Sequence, residues 1–250
     1  MMDWLLFGLF FALMLAGVPI AVAMGLAGVA VVAVADFGML SLPTNVYTGV
    51  AKYPLMAIPV FVIAGLIFER AGVAAGIVRF VSAIVGQRRG SLAIVAILVA
   101  MIMGGISGSG PADSAAVGAV MLPSMLKAGY PRAFTASVIA AAGSTGILIP
   151  PSIALIIYSL LVPAASVPAL FAAGIIPGIL VGVALILMAW WLSVRNGFEA
   201  DVSAARPPFW QSLREAAWGL AAPVIILGGM RSGLFTPTEA AVVAVFYGIF

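Results

Sequence analysis

Glycine, serine and a single aspartate form a polar run at residues 104–114, between two apolar stretches. Backbone that leaves helical geometry at membrane depth has N–H and C=O groups that hydrocarbon cannot satisfy. Such a run is stable only where it is packed in protein or lines a wet site. The run is therefore the first candidate site for a substrate or an ion.

The residues of this run suit two kinds of ligand. Pro111 fits the first turn of a helix, because its missing N–H would have no partner there. Asp113 falls in the same turn, whose dipole and free N–H groups favour an anion such as a substrate carboxylate. The preceding arm ends with the opposite polarity, and its oxygens suit Na⁺. The predicted Na⁺ ligands are Gly105, Ile106, Ser107 and Ser109, and the predicted substrate ligands are Ser109, Gly110 and Asp113. The alternative is that Ser109 and Asp113 only cap a helix.

A second interruption follows in the next apolar segment. Gly143, Ser144 and Thr145 precede Pro150 and Pro151, and a residue before proline is pushed away from helical angles. Two broken elements that face each other at mid-depth recur in the sites of secondary transporters. We therefore predict that the first three residues complete the Na⁺ site and that the two prolines border the substrate. A simple packing kink is the alternative.

Composition indicates the environment of these residues. The chain is 64% hydrophobic and 8% charged, and no charged residue lies between Arg132 and Arg195. Apolar stretches of about 20 residues cross a bilayer as helices, so the fold class is all-α integral membrane. The absence of Cys and His excludes disulfides, His/Cys zinc sites and Ser-His triads. We expect no enzyme activity and no cofactor. We also expect no nucleic-acid partner, because the basic residues lie at helix ends.

The apolar arms on either side of the polar run are each about 16 residues, or about 24 Å, and are shorter than the ~30 Å hydrocarbon core. Basic residues flank both outer ends, and such residues collect in cytoplasmic loops. A re-entrant hairpin is therefore predicted, with its turn inside the membrane. The resulting threading puts two basic residues outside, Lys52 and Arg231. It puts nine inside: Arg70, Arg79, Arg88, Arg89, Lys127, Arg132, Arg195, Arg206 and Arg214.

The predicted organisation follows from these breaks. It comprises N-terminal transmembrane helices (1–70), an amphipathic connection (71–90), the re-entrant hairpin (91–127), a broken helix with the next spanning helix (133–194), a cytoplasmic connection (195–217) and the start of a second repeat (218–250). Residues 36–53 are expected to be irregular, and a capping pattern is expected at Thr236 and Glu239.

Five motifs resemble one known family. Residues 104–114 are the first. The others are residues 121–131, residues 146–152 with Tyr158 following, residues 170–178 and residues 235–241. Together they are similar to the large membrane subunit of TRAP (tripartite ATP-independent periplasmic) transporters, in family order and over nearly the whole chain.

The resemblance implies properties that composition does not give. The family couples inward Na⁺ movement to uptake of organic acids, such as C4-dicarboxylates or sialic acids, across the bacterial inner membrane. It works with a small four-helix membrane subunit and a periplasmic binding protein that delivers the substrate. Its fold is of the elevator type, with two inverted repeats. The first hairpin and its broken helix form one Na⁺ site, here near Ser107 to Ser109 and near Gly143 to Thr145.

The sequence departs from the family because the second hairpin and its broken helix are missing. We expect the chain to be truncated after the first repeat, or completed by a separate chain, and not to transport alone.

Three other interpretations remain. A channel could also use half-helices that meet at mid-membrane, but it would not need Na⁺ coupling. An intramembrane protease would need a His base or a second deep carboxylate. A purely structural subunit would leave the two helix breaks unexplained.

Overall fold

The computed structural model describes residues 2–198 and 207–250, and every regular element within them is helical. The α-helices are α1 (Met2–Leu15), α2 (Ile20–Val34), α3 (Ser41–Val50), α4 (Ala57–Arg70), α5 (Val73–Val85), α6 (Ser91–Ser107), α7 (Gly110–Lys127), α8 (Arg132–Gly143), α9 (Ile153–Leu161), α10 (Val167–Arg195), α11 (Phe209–Arg231) and α12 (Pro237–Ile249). Two single-turn 3₁₀ helices precede α4 and follow α8, at Tyr53–Met56 and Ser144–Ile147. The all-α prediction is confirmed.

Among the described residues, three helical segments are long and apolar enough to cross a membrane: Tyr53–Arg70, Val167–Arg195 and Phe209–Arg231. Several shorter apolar helices accompany them, including α1, α2 and α6. The chain is therefore an integral membrane protein, as its composition predicts.

The chain divides into two compact units, residues 1–52 and 53–250. In the first unit α1 and α2 pack against each other and are separated by a break at residues 16–19. The break contains Gly17, whose φ of 84° favours glycine. The expectation of irregular structure over residues 36–53 is wrong, because α3 occupies most of it. Pro43 lies in the first turn of α3, where a proline N–H would have no partner in any case.

The core of the second unit surrounds α6. Twelve of its 17 residues are buried, and it packs against α4, α5, α7, α8, α10, α11 and the 3₁₀ turn after α8. Small residues such as Ala93, Ala96, Ala100 and Gly104 let neighbouring backbones approach closely, as helix packing in membranes requires. The hairpin is thus the centre of this unit.

The hairpin itself is α6 followed by α7. At 1.5 Å per residue these helices are about 26 and 27 Å long, slightly short of a ~30 Å hydrocarbon core. The polar run at residues 104–114 is mostly helical, since only Gly108 and Ser109 lie outside the helices. The prediction that Pro111 and Asp113 lie in the first turn of α7 is confirmed.

The later helices follow the predicted breaks with one exception. The predicted interruptions of the helix after residue 133 are confirmed, because α8, a 3₁₀ turn and α9 replace one continuous helix. Helix α11 begins at Phe209, directly after Pro208, and therefore within the segment predicted as a connection, residues 195–217. A polar first half masked this helix in the sequence. Arg206 lies outside the described residues.

Candidate functional site

The turn between α6 and α7 is held by backbone bonds on both sides. Gly108 adopts a φ of 65°, and its N–H donates to the Gly104 carbonyl at 3.0 Å. Its own carbonyl accepts from the N–H of Ile153, the first residue of α9, at 3.3 Å. A methyl group on Gly108 would collide with the Pro151 carbonyl. The turn therefore requires glycine both for its left-handed conformation and for its contact with the second break, residues 144–152 between α8 and α9.

A serine and a carboxylate join the two arms. The Ser107 hydroxyl donates to Asp113 Oδ1 at 2.6 Å, and the Ser109 N–H donates to Ser107 Oγ at 3.0 Å. Both side chains are almost fully buried, and Asp113 is only 1% exposed. Asp113 Oδ2 has no hydrogen-bond partner among the described residues. The last residue of α6 is thus bonded to the first turn of α7 through side chains.

Glycines bring the second break directly against this pair. A methyl group on Gly104 would lie 3.2 Å from the Gly146 nitrogen and closer still to its Cα. A methyl group on Gly146 would collide with Asp113 Oδ2, and one on Gly110 would lie 2.6 Å from the Gly143 carbonyl oxygen. The hairpin and the interrupted helix therefore meet backbone to backbone. We call this contact, which includes Gly104, Gly110, Asp113, Gly143 and Gly146, the junction.

Side-chain hydroxyl groups stabilise the second break through hydrogen bonds to nearby backbone groups. Thr145 is buried and donates to the Ala142 carbonyl at 2.6 Å, which supports the 3₁₀ turn. Ser152 Oγ accepts from the Leu155 N–H at 3.3 Å and donates to the Ile147 carbonyl at 2.5 Å. It therefore caps α9 and closes the break with one side chain.

Carbonyl groups at the end of α6 lack helical partners. The last four carbonyls of a helix have no intrahelical donor. That of Gly104 is bonded to Gly108, but no donor among the described residues bonds to those of Gly105, Ile106 and Ser107. These three carbonyl oxygens can therefore coordinate a cation.

The structure brings most of the predicted ion ligands together. Gly105, Ile106, Ser107, Gly143 and Thr145 are all buried on the elements that form the junction. Ser109 is partly exposed at the turn. Ser144 is exposed and donates to the Ala141 carbonyl at 2.6 Å, so its hydroxyl is already engaged.

The predicted substrate ligands are packed more tightly than an open site would require. Asp113 and Gly110 are buried in the junction, and Pro150 and Pro151 are buried, with Pro151 beneath the hairpin turn. Their substrate role stays a prediction. Sequence reasoning missed the crossing of Gly104 and Gly146 and the cap at Ser152. The only signal was small residues on both partners, which does not specify a pairing.

The model of a protein family matches residues 7–250 of this chain, and its description is "Tripartite ATP-independent periplasmic transporter, DctM component". The chain belongs to this family. The DctM family comprises transporter components rather than enzymes, and it places the chain in the bacterial inner membrane, as the motifs imply.

Curated relatives agree with this membership. The C4-dicarboxylate TRAP transporter large permease protein DctM of Rhodobacter capsulatus is 36% identical over 264 residues, covering 98% of this chain and 59% of the relative. The 2,3-diketo-L-gulonate TRAP transporter large permease protein YiaN of Escherichia coli is 42% identical over 235 residues, covering 94% of this chain and 55% of the relative. The isethionate TRAP transporter permease protein DctMQ of Oleidesulfovibrio alaskensis is 38% identical over 250 residues, covering 98% and 39%. This chain thus spans about half the length of these DctM relatives.

Proposed function

We propose that this chain is part of the large membrane subunit of a Na⁺-coupled secondary transporter that imports an organic acid. The proposed transporter is of the elevator type. It includes a small four-helix membrane subunit and a periplasmic binding protein that delivers the substrate. The observation that carries the proposal is the buried meeting of a hairpin turn and an interrupted helix within a membrane protein of the DctM family.

The oxygens at this junction support a site for Na⁺. Hard cations prefer oxygen ligands, and helix C-termini carry partial negative charge. The carbonyls of Gly105, Ile106 and Ser107 have no donors among the described residues, and the Thr145 hydroxyl oxygen lies on the facing element. The Asp113 carboxylate, bonded to Ser107, would offset the charge of a bound cation. An isolated buried carboxylate is unfavourable, so a nearby cation stabilises the ionised form.

The start of α7 supports the class of substrate. An anion is favoured at a helix N-terminus, where N–H groups are free. Ser109 is partly exposed and Pro111 is exposed, so an organic acid can approach this end of α7. The relatives named above carry the names of C4-dicarboxylate, 2,3-diketo-L-gulonate and isethionate, all of which are organic anions.

The proposal is tested by uptake of labelled organic acids into proteoliposomes. The preparation contains the full-length permease, its small subunit and its binding protein. Ser107→Ala and Thr145→Ala are expected to raise the Na⁺ concentration for half-maximal uptake by about tenfold, equivalent to ~1.4 kcal/mol. Ser159→Ala is the matched control, because that hydroxyl donates to the Ile156 carbonyl within α9 at 2.7 Å.

Two outcomes would contradict the proposal. Uptake that does not require Na⁺ or the binding protein would indicate a channel. An equal change in Na⁺ dependence for Ser159→Ala would show that the junction is not the ion site.

A further inference from the structure

A crevice separates the first turns of α10 from the last turn of α11. Its volume is about 280 Å³. Pro168, Phe171 and Ile175 line it on α10, and Leu227 and Arg231 line it on α11. The lining is thus apolar along most of its length and carries one positive charge.

The crevice lies between two helices that can cross a membrane. Both α10 and α11 are candidate membrane spans, and Arg195 at the end of α10 precedes the connection to α11. The crevice lies at the opposite ends of these helices, beside Val167 and Arg231. The 23 residues of α11 extend about 35 Å, which exceeds the ~30 Å hydrocarbon core. A helix of this length can carry Arg231 to the headgroup layer, with the apolar wall beneath it against acyl chains.

The charged side chain at this end has no acidic partner among the described residues. Arg231 is exposed and makes no salt bridge within residues 2–198 and 207–250. No acidic side chain lines the crevice. Pro168 and Ala169 belong to the first turn of the 29-residue α10, whose dipole adds partial positive charge. Arg231 also ends α11, where a cation complements that helix's own dipole.

We propose that this crevice binds one anionic phospholipid. The Arg231 guanidinium binds the phosphate, and one acyl chain lies against Phe171, Ile175 and Leu227. A guanidinium matches the paired oxygens of a phosphate. Phosphatidylglycerol carries a net negative charge and phosphatidylethanolamine does not, so a lining with one basic and no acidic side chain favours phosphatidylglycerol. This proposal does not depend on Na⁺ coupling or on the transported substrate.

Native mass spectrometry of the full-length permease with its small subunit tests this proposal. The complex is titrated with phosphatidylglycerol or with phosphatidylethanolamine of identical acyl chains. We expect one phosphatidylglycerol molecule to bind at least fivefold more tightly than phosphatidylethanolamine. Arg231→Gln should weaken phosphatidylglycerol binding about tenfold, and Arg231→Lys should retain part of it. Arg195→Gln is the matched control, because it removes the same charge at the other end of α10.

A second variant keeps the test independent of the charge. Ala172→Phe fills the crevice with a ring and leaves Arg231 in place, so it should weaken both lipids. The proposal is overturned if Arg231→Gln binds phosphatidylglycerol as tightly as the wild type does. An equal loss in Arg195→Gln also overturns it. So does the absence of tight lipid binding in the wild type, which would mean that other parts of the full-length protein fill the crevice.

Discussion

Gly104 of α6 and Gly146 of the 3₁₀ turn cross without room for a methyl group on either residue. The crossing presses Asp113 Oδ2 against the second break. A methyl group on Gly146 would meet Asp113 Oδ2 and, at 3.2 Å, the Gly104 Cα, and the buried Asp113 side chain has little space to move away.

Gly146→Ala should therefore destabilise the protein by about 1–3 kcal/mol, the usual cost of overpacking a core. Thermal unfolding of the detergent-solubilised complex measures the effect. Gly118→Ala is the control, because its methyl group would meet only Ile139 at an ordinary 3.7 Å. Alanine also suits a helix better than glycine, so this control should leave stability unchanged or raise it. Equal melting temperatures for the two variants would show that the crossing of Gly104 and Gly146 tolerates an added methyl group.

The bond between Ser107 and Asp113 should behave as a coupled pair. Ser107→Ala leaves both carboxylate oxygens without a partner among the described residues, at an expected loss of about 1–3 kcal/mol. A double-mutant cycle with Asp113→Asn should give a coupling free energy clearly different from zero. Ser124→Ala serves for comparison, since that hydroxyl makes only a 3.4 Å bond to the Val120 carbonyl. Strict additivity would mean that the bond contributes nothing.

The capping box at the start of α12 gives a third prediction. The Glu239 carboxylate accepts from the Thr236 N–H at 2.8 Å, and the Thr236 hydroxyl accepts from the Glu239 N–H at 3.4 Å. Thr236→Ala should cost about 1 kcal/mol, the usual effect of losing a cap. Chemical denaturation followed by helical circular dichroism measures it. Thr48→Ala, which removes a hydroxyl bonded within α3, is the control and should cost less.

The pairing of α5 with α11 should depend on packing rather than on charge. Arg79 and Glu215 form a salt bridge of 3.2 Å, but their side chains are 56% and 33% exposed. Arg79→Ala should therefore cost less than about 1 kcal/mol. Gly219→Leu should cost more, because even a methyl group at Gly219 would collide with Val73. Thermal unfolding of both variants gives the comparison, and a larger loss for Arg79→Ala would reverse this ranking.

Local signals in the sequence predicted the two interruptions, because glycine and proline act on the backbone at their own positions. The break after α8 and the hairpin turn were found in this way, although the turn is shorter than expected. The capping box at Thr236 was found because it spans only four residues. The domain boundaries, the site roles and the orientation in the membrane stay predictions.

Other features depend on partners that are distant in sequence. The contact of Gly104 with Gly146 joins residues about forty positions apart, and no local pattern specifies it. The early start of α11 was missed because its first half is polar and packs against α5 through Gly219 and Val73. The helical state of α3 was missed because proline usually interrupts a helix, whereas Pro43 lies in the first turn, where it is tolerated.

The hydrogen bond from Ile153 to Gly108 has a mechanical consequence. Sliding the hairpin turn past the interrupted helix would break this bond, separate Gly104 from Gly146 and uncover Asp113. Displacing α6, α7, α8 and α9 together would break none of these contacts. Any movement of this part of the protein through the bilayer therefore has its lowest free-energy cost when the four helices move as a single rigid body. The surface along which they slide would then lie outside the junction.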